Sequence, residues 1–441
     1  MLPQLYRLAT LPLSPLAVVY LKWRCRRGKE DPLRWRERRG IPGDARPPGP
    51  LLWIHAASLG EATAMLALID RLRQTRPLIE ILVTTGTTAS ARLLERRLPA
   101  QARHQFVPLD LPLWLARFLD HWRPDLAIWV ESELWPNLVL RTRARDVPMV
   151  LVNGRLSARS YRRWLIWPGL IGPMLGAFAR CLAPDEDQAE RLRRLGAQRV
   201  ESIGDLKAAA AALPVDEEEF ERLDRQIGMR PRWLAASTHA GEEAVAAAVH
   251  RRLVPGHSGL LTMIVPRHPI RGAEIAAMLA GIGMRVARRS AGGAITADTD
   301  IYLADTMGEL GLFYRLAGIA FIGGSLVVRG GHNPFEPARL DCAVLHGPDM
   351  SNCTGMAAAL AAAGATEVVA DEAELARAVS GLLRRPRLRA ERSAAGARAA
   401  AAGCGVLDAV DERLAPWLDR LAPARPVDAA GAVCGPLRLP A

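Results

Sequence analysis

Short apolar runs of strand length recur along the chain, and nearly every one stops at a polar turn that opens a helical pattern. L-L-W-I-H-A (51–56) gives way to Ser58-Leu59-Gly60, and then to a helical pattern with Met65, Leu66, Leu68, Ile69 and Leu72 on one side. I-E-I-L-V-T-T (79–85), 126–130 and 149–152 continue the series. A second series runs through 232–236, 261–265, 301–304, 319–322 and 343–345. Runs this short, apolar throughout and interleaved with helices, are strands covered on both faces, so an α/β protein built on parallel sheets is predicted.

The two series divide the chain. Residues 1–46 form a basic, partly apolar arm that ends at the breaker R-P-P-G-P. Residues 47–207 are expected to form one Rossmann-like domain and 208–420 a second, with a loosely ordered tail over 421–441. A length of 441 residues, half of them apolar, suits two such domains. The six cysteines (25, 181, 342, 353, 404 and 434) are scattered without a C-x-x-C pair, which fits a reducing compartment and neither a disulfide framework nor a metal knuckle. The apolar stretch 5–21 is interrupted by Arg7, Pro12 and Pro15, and reads as a segment lying in a membrane interface.

Charge placement says more than the net value of +12. Residues 1–46 hold 11 basic and 4 acidic side chains, a net +7, and residues 152–181 hold five Arg and no acid. These two segments account for all the excess charge, and both carry aromatics: Trp23, Trp35, Tyr161, Trp164 and Trp167. Bases interleaved with Trp and Tyr suit an anionic lipid surface. No nucleic-acid motif accompanies them, and a plain solvated basic face is the remaining alternative. The chain has only three Lys and four Asn, so a surviving Lys207 or Asn153 is expected to be kept for its chemistry.

In the first series, S-L-G-E places Glu61 in the first turn of a helix, where a carboxylate can take a proton from a hydroxyl. The same spacing suits a capping box behind Ser58, and spacing alone favours that structural reading. W-V-E-S-E-L-W-P-N brings Glu131, Glu133 and Asn137 to a strand exit. If the strand continues, the two carboxylates point to opposite sides. N-G-R-L-S supplies Asn153, Arg155 and Ser157 for an acceptor's phosphate or hydroxyls, and G-D-L-K supplies Lys207.

In the second series the motifs are S-T-H (Ser237, His239), P-R-H-P (Arg267, His268), M-G-E-L (Gly308, Glu309), F-I-G-G-S-L (Gly324, Ser325) and G-G-H-N-P-F-E-P (Asn333, Glu336). Glycines at strand exits let backbone N–H groups approach phosphate, and Glu336 is placed for ribose hydroxyls. Neither G-x-x-x-x-G-K-[ST] nor G-x-G-x-x-G occurs, which argues against a P-loop kinase and a nicotinamide enzyme.

Taken in order, these motifs resemble the 3-deoxy-D-manno-octulosonic acid (Kdo) transferases of lipopolysaccharide synthesis. The resemblance covers about residues 20–390 and includes W-I-H-A-A-S-L-G-E, P-L-D-L-P, E-S-E-L-W-P-N, G-D-L-K, S-T-H-A-G-E-E, P-R-H-P, M-G-E-L and G-G-H-N-P-F-E-P. It implies a GT-B fold, two Rossmann-like domains facing across an inter-domain cleft. It also implies a CMP-Kdo donor, a lipid A precursor as acceptor, inversion at the anomeric carbon, and neither metal nor cofactor. On this resemblance Glu61 is the general base, and Glu131 or Glu133 and Lys207 are cleft residues. Ser237, His239, Arg267, His268, Gly308, Glu309, Gly324, Ser325, Asn333 and Glu336 line the donor side. Asn137, Asn153, Arg155 and Ser157 are assigned to the acceptor. The expected location is the cytoplasmic side of the cell inner membrane, peripheral or monotopic, with no nucleic-acid partner. A related GT-B transferase using another nucleotide sugar, or an inert membrane lipid- or polysaccharide-binding protein, are the alternatives. Gly-Asp-Leu-Lys stands where Gly-Asn-Leu-Lys is common, and T-T-G-T-T (84–88) lacks the usual ending and is given no role.

Overall fold

The computed structural model describes residues 2–424 apart from Ser132, Ala211 and Cys404. Among the described residues the strands form two seven-stranded sheets, parallel throughout. The first holds β1 (Leu51–His55), β2 (Glu80–Thr85), β3 (Ala102–Phe106), β4 (Leu126–Val130), β5 (Met149–Val152), β6 (Arg180–Ala183) and β7 (Val200–Ser202), in the order β3-β2-β1-β4-β5-β6-β7. The second holds β8 (Arg232–Thr238), β9 (Leu261–Pro266), β10 (Val286–Arg288), β11 (Ile301–Leu303), β12 (Ile319–Ile322), β13 (Ala343–His346) and β14 (Thr366–Val368), in the order β10-β11-β9-β8-β12-β13-β14. The strand order reverses between β1 and β4 and again between β8 and β12. At such switch points an open α/β sheet leaves a crevice at its carboxyl edge.

Strand alternation sorts the core of the first unit. Leu52, Ile54, Val83, Ile128 and Val150 face one helical layer, while Leu51, Trp53, Leu82, Trp129 and Leu151 face the other. The helix Leu59–Thr75 belongs to the first layer because Met65, Leu66, Leu68, Ile69 and Leu72 recur on one face. The helix Pro112–Trp122 belongs to the second and buries Leu115, Phe118, Leu119 and Trp122.

The domain boundaries differ from those expected. The chain divides into residues 1–210 together with 404–441, and residues 211–403. The helix Gly405–Leu421, expected in the second domain, is part of the first. Its Leu407, Val410, Leu414 and Leu418 lie three or four residues apart, and that stripe packs against the layer of Ile54 and Val83. Buried Arg76 fixes it through Asp411 at 2.7 Å and Asp419 at 2.9 Å. The basic arm is not a separate body either. Arg38 is buried and pairs with Glu30 at 3.1 Å while donating to Val107 O at 3.1 Å, which seats residues 30–39 on the sheet edge. The tail expected over 421–441 lies, from residue 425, outside the described residues.

The arm begins with the helices Leu2–Thr10 and Ser14–Arg26, joined by a 3-10 turn that absorbs Pro12. Tyr6 donates to Asp110 at 3.0 Å, and Asn137 donates to Thr10 Oγ1 at 2.9 Å. Among the described residues no helix is long and apolar enough to cross a membrane.

Candidate active site

Glu61 is held at the exit of β1 by the turn that precedes its own helix. Ser58 caps that helix, accepting from the Glu61 N–H at 3.3 Å. The Glu61 carboxylate reaches back to the Ala57 N–H at 2.7 Å and the Ser58 hydroxyl at 3.0 Å. Half of the capping box forms, the bond from the Glu61 N–H to Ser58, while the carboxylate reaches one residue further back than a capping box requires and is also chemically unusual. Burial raises the Glu61 pKa to about 7, the negative charge of Glu131 adds to this, and the two hydrogen bonds pull the other way. T-T-G-T-T, given no role above, supports this turn. The Gly86 N–H donates to Ala57 O at 2.9 Å, and a Cβ on Gly86 would lie 2.9 Å from that same oxygen. Thr84 accepts from the Trp53 indole at 2.8 Å.

The exits of β4 and β5 bring a compensating network beside it. Glu131 follows β4 with φ 59°, and Asn153 follows β5 with φ 57°, left-handed conformations that non-glycine residues adopt at a cost of about 1–3 kcal/mol. The strand thus ends before Glu131, and the alternation expected of Glu131 and Glu133 does not apply. Glu131 pairs with Lys207 at 2.7 Å and accepts from the Asn153 amide at 3.3 Å. Asn153 Oδ1 in turn accepts from the Leu206 N–H at 3.1 Å. Asp205 caps the turn carrying Lys207, accepting from its N–H at 3.0 Å, and pairs with Arg155 at 2.7 Å. The Asp of G-D-L-K thus has a cationic partner that Asn would lack. Asp205 and the Ala57 turn join this network, although the sequence reading quoted them only within motifs and gave them no role.

Of the other predicted residues, Glu133 is near enough for its charge to add to the rise in the Glu61 pKa, while Asn137 and Ser157 sit elsewhere. Glu133 turns to the Trp135 indole at 2.5 Å. Asn137 is buried, with its amide engaged by Thr10 and by Asp110 O at 2.8 Å, so it fastens the first helix. Ser157 caps the helix Ala158–Leu165.

In the second unit the switch point is built from imidazoles and backbone N–H groups. Ser237, at the end of β8, takes φ 56°, and Gly323 packs so close that a Cβ there would lie 2.5 Å from Ser237 O. His239 lies 3.1 Å from His332 between Nε2 atoms and edge-on to His268, with ring centroids 5.7 Å apart. Only one of the paired nitrogens can carry a proton. Burial, and then Arg267, lower the His332 pKa to about 4, so it is neutral near pH 7. Glu336 is raised to about 7 by burial, against the opposing pull of Arg267 and Arg339.

Two residues assigned to the donor have their side chains engaged within the protein. Ser325 is fully buried, donating to Ile322 O and accepting from the Gly347 N–H at 2.7 Å. Glu309 pairs with Arg289, which lowers its pKa and fixes the turn at Gly308. Asn333 caps the turn before Glu336, accepting from the Phe335 N–H at 3.0 Å. The residue missed is Glu242. Its buried carboxylate accepts from the N–H groups of His239 at 2.9 Å, Gly324 at 2.7 Å and Leu326 at 3.2 Å, tying the β8 exit to the β12 exit. An acid three residues after the strand-exit His239, at the first turn of a helix, was the available signal. Two D-x-D triplets also occur. Asp185 caps the helix Glu186–Arg194, and Asp298 and Asp300 pair with Arg285 at 3.0 and 2.7 Å.

Two doubly wound units with functional motifs at both switch points define the GT-B class of glycosyltransferases and related epimerases. The fold is shared with a glycosyltransferase from Rickettsia africae ESF-5 (TM-score 0.60, 9% identity, 84% of this chain and 99% of that one). It is shared also with UDP-GlcNAc 2-epimerase from Neisseria meningitidis (TM-score 0.57, 14% identity, 83% and 99%). Residues 33–210 match the family model of 3-deoxy-D-manno-octulosonic-acid transferase (kdotransferase). The chain is 38% identical to the probable mitochondrial 3-deoxy-D-manno-octulosonic acid transferase of Arabidopsis thaliana, over 87% of this chain and 89% of that one. It is 34% identical to the Haemophilus influenzae 3-deoxy-D-manno-octulosonic acid transferase, over 88% and 92%. The chain belongs to the 3-deoxy-D-manno-octulosonic acid transferase family and is a glycosyltransferase.

Proposed function

We propose that the enzyme transfers Kdo from CMP-Kdo to a primary hydroxyl of a lipid A precursor, with inversion. The observation that carries this reading is Glu61, a carboxyl fixed at a switch point with its pKa raised to about 7. A general base works best with a pKa near the operating pH. Glu61 takes the hydroxyl proton, the hydroxyl oxygen bonds to the anomeric carbon of Kdo, and the bond from that carbon to the CMP phosphate breaks. Arg267 and the backbone N–H groups of the second unit meet the charge on the departing CMP, with no metal or cofactor invoked. The imidazole cluster and Glu336 are assigned to the nucleotide.

The acceptor's lipid character places the enzyme on the cytoplasmic face of the inner membrane, bound peripherally. Three features support this. Leu5, Leu8, Leu16, Val19 and Trp23 are exposed on the first two helices. Leu165, Ile166 and Trp167 are exposed beside the basic helix Ala158–Leu165. The Leu2 side chain lies 2.9 Å from where a Cβ on Gly169 would be, so the two basic, aromatic segments are neighbours. The test is mass spectrometry of the product from enzyme, CMP-Kdo and lipid A precursor, with Glu61→Gln as control. An acceptor whose mass does not rise by one or more Kdo residues defeats the reading.

A further inference from the structure

Glu61 is aimed by Ala57, and Ala57 is tied to the basic arm. The Ala57 N–H donates to the Glu61 carboxylate at 2.7 Å, and Ala57 O accepts from the Gly86 N–H at 2.9 Å. Gly86 O in turn accepts from Nη2 of Arg38, in the 3-10 turn Trp35–Arg39 of the arm. The same guanidinium donates through Nη1 to Val107 O at 3.1 Å and through Nε to Glu30 at 3.1 Å. The other oxygen of Glu30 accepts from Arg24 at 2.8 Å. Arg24 lies on the helix Ser14–Arg26, whose Leu16, Val19 and Trp23 are exposed. An unbroken line of hydrogen bonds therefore runs from the helix assigned to the membrane to the base.

The middle of that line is ionic where an ion is expensive to place. Arg38 and Glu30 are each only 4% exposed. A buried ion pair adds little net stability, and apolar side chains of similar volume commonly seat a segment as firmly. What a guanidinium adds is direction. Its planar fork holds carbonyls at the exits of two neighbouring strands, Gly86 after β2 and Val107 after β3, in one fixed geometry. Arg34, just before the same turn, provides a contrast. It pairs with Glu37 at 2.8 Å and Glu95 at 3.2 Å and donates to His104 O at 2.8 Å, so its bonds fasten the arm to the helix Thr88–Arg97 and to β3.

We propose that Arg38, held by Glu30, is a positioning residue for Glu61: it fixes the Gly86 turn that aims the Ala57 N–H at the base, so the seating of the basic arm sets the geometry of the base. The inference rests on the reading of Glu61 as general base. It makes the arm part of the catalytic apparatus as well as a membrane contact. An arm displaced from the sheet edge costs rate and leaves the donor site intact.

Kdo-transfer rates of the full chain with a detergent-dispersed lipid A precursor, measured as a function of pH, test it. Arg38→Lys keeps the charge and loses the fork. Its kcat is expected to fall about tenfold, with CMP affinity by calorimetry unchanged. The acid limb of kcat/KM should rise by about half a pH unit, because weakening an N–H bond to the Glu61 carboxylate favours the protonated form while Glu131 and Glu133 still face it. Arg34→Gln is expected to lower the melting temperature and leave the limb in place. If Arg38→Lys does not fold, Glu30→Gln, which keeps the shape and removes the charge that holds Arg38, carries the same expectation. A wild-type limb in the folded variant, an equal shift in Arg34→Gln, or a matching loss of CMP affinity overturns the assignment and leaves Glu61 as the base. Wild-type transfer by Glu61→Gln brings down the reading of the base instead, and this inference with it.

Discussion

In the first unit the residues at the switch point are ions set against one another: Glu61 beside Glu131, Glu131 paired with Lys207, and Arg155 with Asp205. In the second unit they are imidazoles and tight turns, with Glu242 gathering three backbone N–H groups from two strand exits. On the proposed reading, the same doubly wound architecture serves two different tasks. Opposed charges tune a proton's position and leave a reactive group poised, whereas a backbone cradle fixed by a buried carboxylate is rigid and suits holding a nucleotide. Perturbing one unit should change chemistry, and perturbing the other should change binding.

The largest separation should come from Glu61→Gln. Losing a general base lowers the rate by about 10²–10⁴, while CMP binding should be unchanged by calorimetry. Stability should move in the opposite direction. The folded-state pKa of about 7 lies above the ordinary 4.5, so folding favours the protonated form, and ionisation of Glu61 destabilises the fold as pH rises through 7. The neutral variant escapes this, gaining up to about 3 kcal/mol at pH 8, and the gain should vanish as pH falls toward 4.5. Melting curves of both proteins at pH 8 and near pH 5 measure it. Equal shifts at the two pH values would show that Glu61 is not held as described.

Glu242→Ala is the matching perturbation of the second unit. Three N–H groups lose an ionic acceptor, at about 1–3 kcal/mol for each one left unsatisfied. CMP-dependent thermal stabilisation should largely disappear, while the pH limb belonging to Glu61 stays in place. A variant that binds CMP normally would remove Glu242 from the donor cradle.

What the sequence disclosed follows the same physical lines. The interior strands β1, β2, β4, β5, β8, β9 and β12 were legible because burial on both faces makes them continuous apolar runs. The edge strands β3 (A-R-H-Q-F), β7 (V-E-S), β10 (V-A-R) and β14 (T-E-V) are short or polar and were not recognised, and neither was the four-residue β6. The last helix showed its apolar stripe, but which sheet it covers depends on Arg76 and Asp411, 335 residues apart. Glu242 was visible as an acid at a helix start. That its partners include Gly324, 82 residues on, is a property of the fold. Glu61 and Lys207 stood out in the sequence because their motifs are local.

Within the first unit, a charge swap sharpens the electrostatic half of the comparison. Lys207→Met leaves Glu131 only its longer ion pair with Arg155, at 3.8 Å, so the acid limb of kcat/KM should move up by up to about one pH unit. Glu131→Gln should move it down by a similar amount, one unit corresponding to about 1.4 kcal/mol. Lys207→Arg keeps the charge on a broader, planar group, and should leave the limb in place while lowering the rate. Limbs that coincide in all three variants would mean that Glu61 does not feel this pair.

The smallest effects concern the surface and ask whether the first unit alone meets the membrane. Leu2 lies against Gly169, which joins the exposed apolar side chains of the first helices to Ile166 and Trp167 and gathers the chain's excess charge on one unit. Each basic residue near an anionic surface contributes about 1 kcal/mol, screened over a Debye length of about 8 Å at physiological salt. Replacing Arg162 or Arg163 by Gln should therefore weaken binding to anionic vesicles about fivefold each, and raising the salt should shrink that difference. Trp167→Ala removes an inserted ring, so its loss should persist in high salt and extend to neutral vesicles. The same substitutions at Arg251 and Arg252, on the second unit, should change nothing. If they weaken vesicle binding as much as those at Arg162 and Arg163, the membrane is met by both units, and the division of labour drawn from the two sites does not extend to the surface.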